Sequence, residues 1–109
     1  MQTMITKEIL VNSGFECTIY QETHVMSKIM KVEWGIEDFM EFRRWTNDVD
    51  KKSPIKLDID NGCNNSGRKW HLHIDNDHCE TIGSADIDTV EQFNKLMEIF
   101  DTNFRLSLE

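Results

Sequence analysis

The segment Trp70-His71-Leu72-His73-Ile74-Asp75 sets two imidazoles two residues apart. On a β-strand, residues i and i+2 project from the same face, roughly 7 Å apart. Two imidazoles so placed can share one zinc or copper ion. His78 and Cys79 follow shortly after, and His24, Cys63 or Asp75 would have to complete the shell. A metal set of His71, His73, His78 and Cys79 is therefore one chemical reading of this region. The plainer reading is a solvent-facing strand, where a neutral imidazole requires no ligand.

Other chemistries find less support. The acid-rich runs DIDNGCN and DNDHCE do not make an EF-hand loop. Such a loop needs glycine at its sixth position, which here is Cys63 counting from Asp58 and Glu80 counting from Asp75. Cys79 directly follows His78, but strand neighbours point to opposite faces, so the imidazole would not activate the thiol. No G-x-S-x-G, P-loop or G-x-G-x-x-G is present. The six methionines and three tryptophans read as core, not as a cofactor box. No cofactor is implied.

Charge is the stronger clue. The chain of 109 residues carries a net charge of −8. Trp70 to Asn94 contains no Lys or Arg but includes Asp75, Asp77, Glu80, Asp86, Asp88 and Glu91. Such a surface repels nucleic-acid phosphates and anionic membranes, so neither is expected as a partner. It attracts a basic protein. The leading functional reading is a non-enzymatic acidic protein-binding module of an inhibitor, immunity or mobile-element accessory type. Its binding residues would be Asp58, Asp60, His71, His73, Asp75 and Asp77. The alternative is a metal-binding protein or metal-dependent enzyme using His71 and His73. An acidic surface also serves solubility alone. A third reading is a homo-oligomer formed through a strand edge or through Trp34, Phe42 and Trp45.

The elements that must position these residues follow from periodicity. Ile55, Leu57 and Ile59 alternate with Lys56, Asp58 and Asp60, and Trp70, Leu72 and Ile74 alternate with His71, His73 and Asp75. Each run is a half-buried strand. The turn-rich Asn61–Lys69 between them makes an antiparallel hairpin, with both polar sets on one outer face. Phe15–Tyr20 and Thr81–Ile87 also read as strands. Val25–Trp34 reads as a strand from its β-branched residues. Ile36–Trp45 fits helix and strand about equally, and neighbouring strands favour strand. Asn47–Pro54 is a polar turn. Thr6 caps a short helix over Lys7–Asn12, which Gly14 ends in a left-handed turn that folds Phe15 back on Leu10. Thr89 and Gln92 form a capping box for a helix reaching Phe100. Its apolar stripe is Val90, Phe93, Leu96, Met97 and Phe100.

These elements predict one α+β domain over residues 1–109. It holds a single antiparallel meander sheet, a short N-terminal helix, and an amphipathic C-terminal helix packed on one face. Three cysteines at wide spacing favour a reducing compartment. With no signal-like or membrane-spanning apolar run, the expected location is cytoplasmic. The segments I-T-K-E-I-L-x-x-x-G-F (Ile5–Phe15) and I-G-S-A-D-I-D-T-V-E-Q-F-N-K-L-M (Ile82–Met97) resemble short uncharacterised proteins of gut anaerobic bacteria, often encoded near prophage or other mobile elements. The resemblance covers about a quarter of the chain, leaving Tyr20–Lys52 unmatched. It implies a small α+β fold with a closing helix, and no activity, catalytic residue or cofactor.

Overall fold

Two hairpins' worth of alternating sequence become adjacent strands of one sheet. The computed structural model describes residues 2–21, 25–35, 38–47, 54–62, 68–100 and 102–107. Its elements run α1 (Lys7–Asn12), β1 (Glu16–Tyr20), α2 (Val25–Trp34), β2 (Phe39–Asn47), β3 (Pro54–Asp60), β4 (Trp70–Asp75), β5 (Thr81–Ile87) and α3 (Val90–Ile99). The five strands pair antiparallel in chain order, β1-β2-β3-β4-β5. This is the expected α+β meander with a helix near each end.

The alternation that predicted β3 and β4 is visible in their burial. Ile55, Leu57, Ile59, Trp70, Leu72 and Ile74 are buried, and the residues between them are partly exposed. The buried set joins Phe42 from β2, Ile87 from β5, Leu10 and Phe15 around α1, and Val90, Phe93 and Met97 from α3 in one core. Each such side chain contributes about 1.5–3 kcal/mol of transfer free energy. Leu96 and Phe100 complete the α3 stripe as partly buried neighbours.

Both helix caps form as the residue types dictate. Thr89 Oγ1 accepts from Gln92 N at 3.1 Å, and Thr89 N donates to Gln92 Oε1 at 3.1 Å. At the end of α1, Gly14 takes φ +92°, Gly14 N donates to Val11 O, and Phe15 N donates to Leu10 O at 3.1 Å. That pair of bonds is the Schellman arrangement, and it delivers Phe15 to the core. A contact not expected from the sequence ties the N-terminus to α3: Ile5 N donates to Asp88 O, and Val90 N donates to Thr3 O, both at 2.8 Å.

Val25–Trp34 corrects an expectation: it is helix, not strand. Its β-branched residues are Val25, Ile29 and Val32, spaced four and three apart, which is one helical face. That face is not core, since Val25 is 70% and Val32 83% exposed while Met30 is buried. Lysine, methionine and glutamate fill much of the remainder and favour helix.

Ile36–Trp45 resolves as strand over the described part, with β2 beginning at Phe39 and running on to Asn47. Phe39 and Met40 spoiled the alternation because both faces are covered at this end of β2. Met40 turns toward the core. Phe39 is buried on the other side, stacked on Tyr20 at 5.3 Å between ring centroids, and Met30 of α2 lies beside it over Gly62. Residues 48–53, within the predicted turn, lie outside the described residues.

A candidate acidic face on the outer side of the sheet

Strand register puts the sequence-predicted residues into transverse rows. Thr18, Glu41, Asp60, His71 and Asp86 align across β1 to β5. The neighbouring row is Glu16, Arg43, Asp58, His73 and Ser84, and the next is Trp45, Lys56, Asp75 and Thr81. All project from the face opposite the core, because each strand alternates. Among the described residues, these rows carry the carboxylates of Glu16, Glu41, Asp58, Asp60, Asp75 and Asp86 and, as lysine or arginine, Arg43 and Lys56.

The two cations are fully committed. Arg43 Nη2 lies 3.5 Å from both Glu41 Oε2 and Asp58 Oδ2. Lys56 Nζ lies 3.5 Å from Asp75 Oδ2 and 4.0 Å from Asp58 Oδ2. Asp75 also accepts from Thr81 Oγ1 at 2.9 Å. Asp60 accepts from Gly62 N at 2.9 Å and, among the described residues, has no cation in ion-pair reach. His71 Nδ1 is 2.5 Å from Asp86 Oδ1, and the His71 and His73 rings meet edge-on at 4.3 Å between centroids.

These groups are not freely solvated. Side-chain exposure is 13% for Asp75, 19% for Asp58, 25% for Glu41, 28% for His71 and 32% for Asp86. Burial holds the Asp60 carboxyl above the ordinary aspartate range, although the Gly62 amide and the two imidazoles oppose the rise. Burial also raises Glu41, and Asp58 and Asp60 raise it further, against Arg43 and a hydrogen bond from Tyr20. The Tyr20 hydroxyl is raised in turn by burial and by Glu41.

The structure thus brings Asp58, Asp60, His71, His73 and Asp75 together, as the hairpin reading expected. Asp77 lies apart, exposed in the β4–β5 turn, 3.6 Å from His78 Nε2. His78 and Cys79 occupy that same turn rather than a strand. Asn76 Oδ1 accepts there from the amides of His78 and Glu80, and Cys79 adopts φ +62°. Among the described residues no three His, Cys, Asp or Glu side chains gather as a metal-holding group. His24 and Cys63 lie outside the described residues.

Sequence reasoning missed Glu41, Asp86, Arg43 and Tyr20 as members of the face. Asp86 was within reach, since Ser84 and Asp86 alternate with Ala85 and Ile87. Glu41 required the strand assignment of β2 and its register.

The base-free stretch itself divides. Asp88 Oδ1 accepts from Lys69 N at 2.7 Å and Glu91 Oε1 from Thr3 N at 2.5 Å, so these two acids fasten chain segments at the start of α3. Phe42, considered for self-association, is fully buried and packs edge-on against Trp70 at 5.6 Å. Trp45 is 53% exposed. The side chain of Trp34 lies outside the described residues. No helix among the described residues is long and apolar enough to cross a membrane. No family model, curated protein or solved structure matches the chain.

Proposed function

We propose that this protein is a non-enzymatic binding module whose outer sheet face takes a basic protein partner, in an inhibitor, immunity or mobile-element accessory role. One observation carries the reading: register aligns Glu41, Asp60 and Asp86 in a single row beside Asp58, on a half-buried face whose described cations are already committed. Burial pushes Glu41 and Asp60 toward protonation, and keeping them ionised costs the free chain stability. Lysine or arginine side chains of a partner would relieve that cost and would be guided in by the field.

The test uses charge-neutral, near-isosteric variants. Asp58→Asn with Asp86→Asn weakens capture of the basic partner from the native host by about tenfold or more, a size typical of losing desolvated charge pairs. Glu8→Gln with Glu98→Gln, on exposed positions of α1 and α3, alters net charge equally and leaves capture unchanged. Equal loss in both pairs would reduce the reading to net charge, and no loss in either would end it.

The second reading, a metal ion on His71 and His73, is favoured by the His71–Asp86 contact. Metal-binding histidines commonly donate their other ring N–H to a carboxylate. Here Asp86 engages Nδ1, which leaves Nε2 as the ligand atom. Metal content of tag-free protein, with a thermal shift on adding zinc, decides it. A ratio near zero with no shift removes this reading.

A further inference from the structure

The face of α2 turned away from the sheet carries Val25, Ile29 and Val32, spaced four and three apart. Val25 and Val32 are exposed and Ile29 is half-buried. Met30, which anchors the helix beside Phe39 and over Gly62, points about 130° away from the centre of this stripe. Three branched side chains in one line are more than the scattered apolar exposure that needs no explanation. Their spacing is that of heptad positions d, a and d, which puts Lys28 at g and Glu33 at e. The two charges stand about 70° to either side of the stripe. Both are exposed, and among the described residues neither has an opposite charge in ion-pair reach.

We propose that this stripe is a self-association surface, on which α2 packs in parallel against α2 of a second copy of the chain about a two-fold axis. In a parallel pair, position g of one helix faces position e of the other five residues on, so Lys28 of each copy meets Glu33 of the other. The ion pair forms twice, and the apolar side chains close between the two. An antiparallel pair would set Lys28 against Lys28 and Glu33 against Glu33. A lipid surface would require basic flanks on both sides of the stripe, and Glu33 denies one. The axis lies on the solvent side of α2, so the two sheets stand on opposite sides of it. The stripe is short, which places the pair among the weak contacts below about 1,200 Å².

Sedimentation equilibrium of the full chain reads the mass from about 10 μM to about 1 mM, where a dissociation constant on the order of 100 μM is expected. Val32→Glu and, separately, Val25→Lys change exposed positions that the fold tolerates, as circular dichroism checks. Each raises the constant by about tenfold or more, the size of a lost central contact. Glu33→Lys also weakens association, although it reduces the net negative charge that keeps copies apart. Lys28→Glu combined with Glu33→Lys restores it, because the pair re-forms with its signs exchanged. A chain that stays monomeric to about 1 mM overturns the proposal, whether or not α2 then binds anionic vesicles. Association untouched by both valine variants puts the contact elsewhere and overturns it too. Loss in the valine variants without restoration by the double exchange overturns the parallel pairing.

Discussion

The two faces of the sheet are made from the same strands and obey opposite rules. On the inner face Phe42, Leu57, Ile59, Trp70, Leu72 and Ile74 are sealed by α1 and α3, and the Trp70 indole N–H donates to the Ile5 carbonyl at 3.1 Å. Arg44 is a charged residue on that face. Its Nη1 donates to Ser13 O at 3.1 Å, and its guanidinium lies 4.4 Å from the Phe104 ring centre. On the outer face, residues one position along each strand carry carboxylates and imidazoles, half-buried and short of cations. The inner face is where apolar burial makes stability, and on the outer face burial raises Glu41 and Asp60 above their ordinary ranges. That contrast supports the proposal that the outer face receives a partner, since sites that must do so are commonly suboptimal for the empty fold.

The contrast is broken first on the inner face. Trp70→Ala removes a fully buried indole and its hydrogen bond, and should cost about 3–5 kcal/mol in denaturant unfolding. Gly14→Ala forces a side chain into the left-handed region, where its Cβ would lie 2.1 Å from Arg44 Nη1. It should cost about 1–2 kcal/mol or more. Thr89→Ala removes the N-cap acceptor of α3 and should cost about 1 kcal/mol in the same assay. Changes on the outer face should be smaller: Ser84→Ala, beside His73, should leave stability within about 0.5 kcal/mol.

Those magnitudes follow what was legible in the sequence. Ile55–Asp60 and Trp70–Asp75 alternate cleanly because one side is core and the other is not, so period and face could be read together. α3 carried both its cap and its stripe within a dozen residues. α2 hides its helical period behind its residue types, because Val25, Ile29 and Val32 favour strand by branching yet stand four and three apart. The start of β2 was ambiguous because Phe39 and Met40 are both covered, from opposite sides, which erases the two-residue period. The site followed the same logic. A hairpin fixes its own register, so Asp58, Asp60, His71, His73 and Asp75 could be grouped from local sequence. Glu41 and Asp86 reach the row only through pairing with β3 and β4, and no residue type announces that partner.

A face kept for a partner leaves its carboxylates stressed in the free chain. Folded-state burial and repulsion raise Glu41 and Asp60 above their ordinary values of 4.5 and 3.8. A raised carboxyl favours folding while protonated, so its contribution is full below the unfolded value and is lost as pH rises through the folded one. The direct measurement is thermal unfolding of the wild type and of Glu41→Gln with Asp60→Asn, compared from about pH 4 to about pH 7.5. The variant should be more stable near neutrality by about 0.5–1 kcal/mol, and the difference should shrink as pH falls toward the unfolded carboxyl values and vanish below them. A variant less stable at neutral pH would mean that these carboxylates hold the sheet together, and would contradict the claim that the face is kept for a partner.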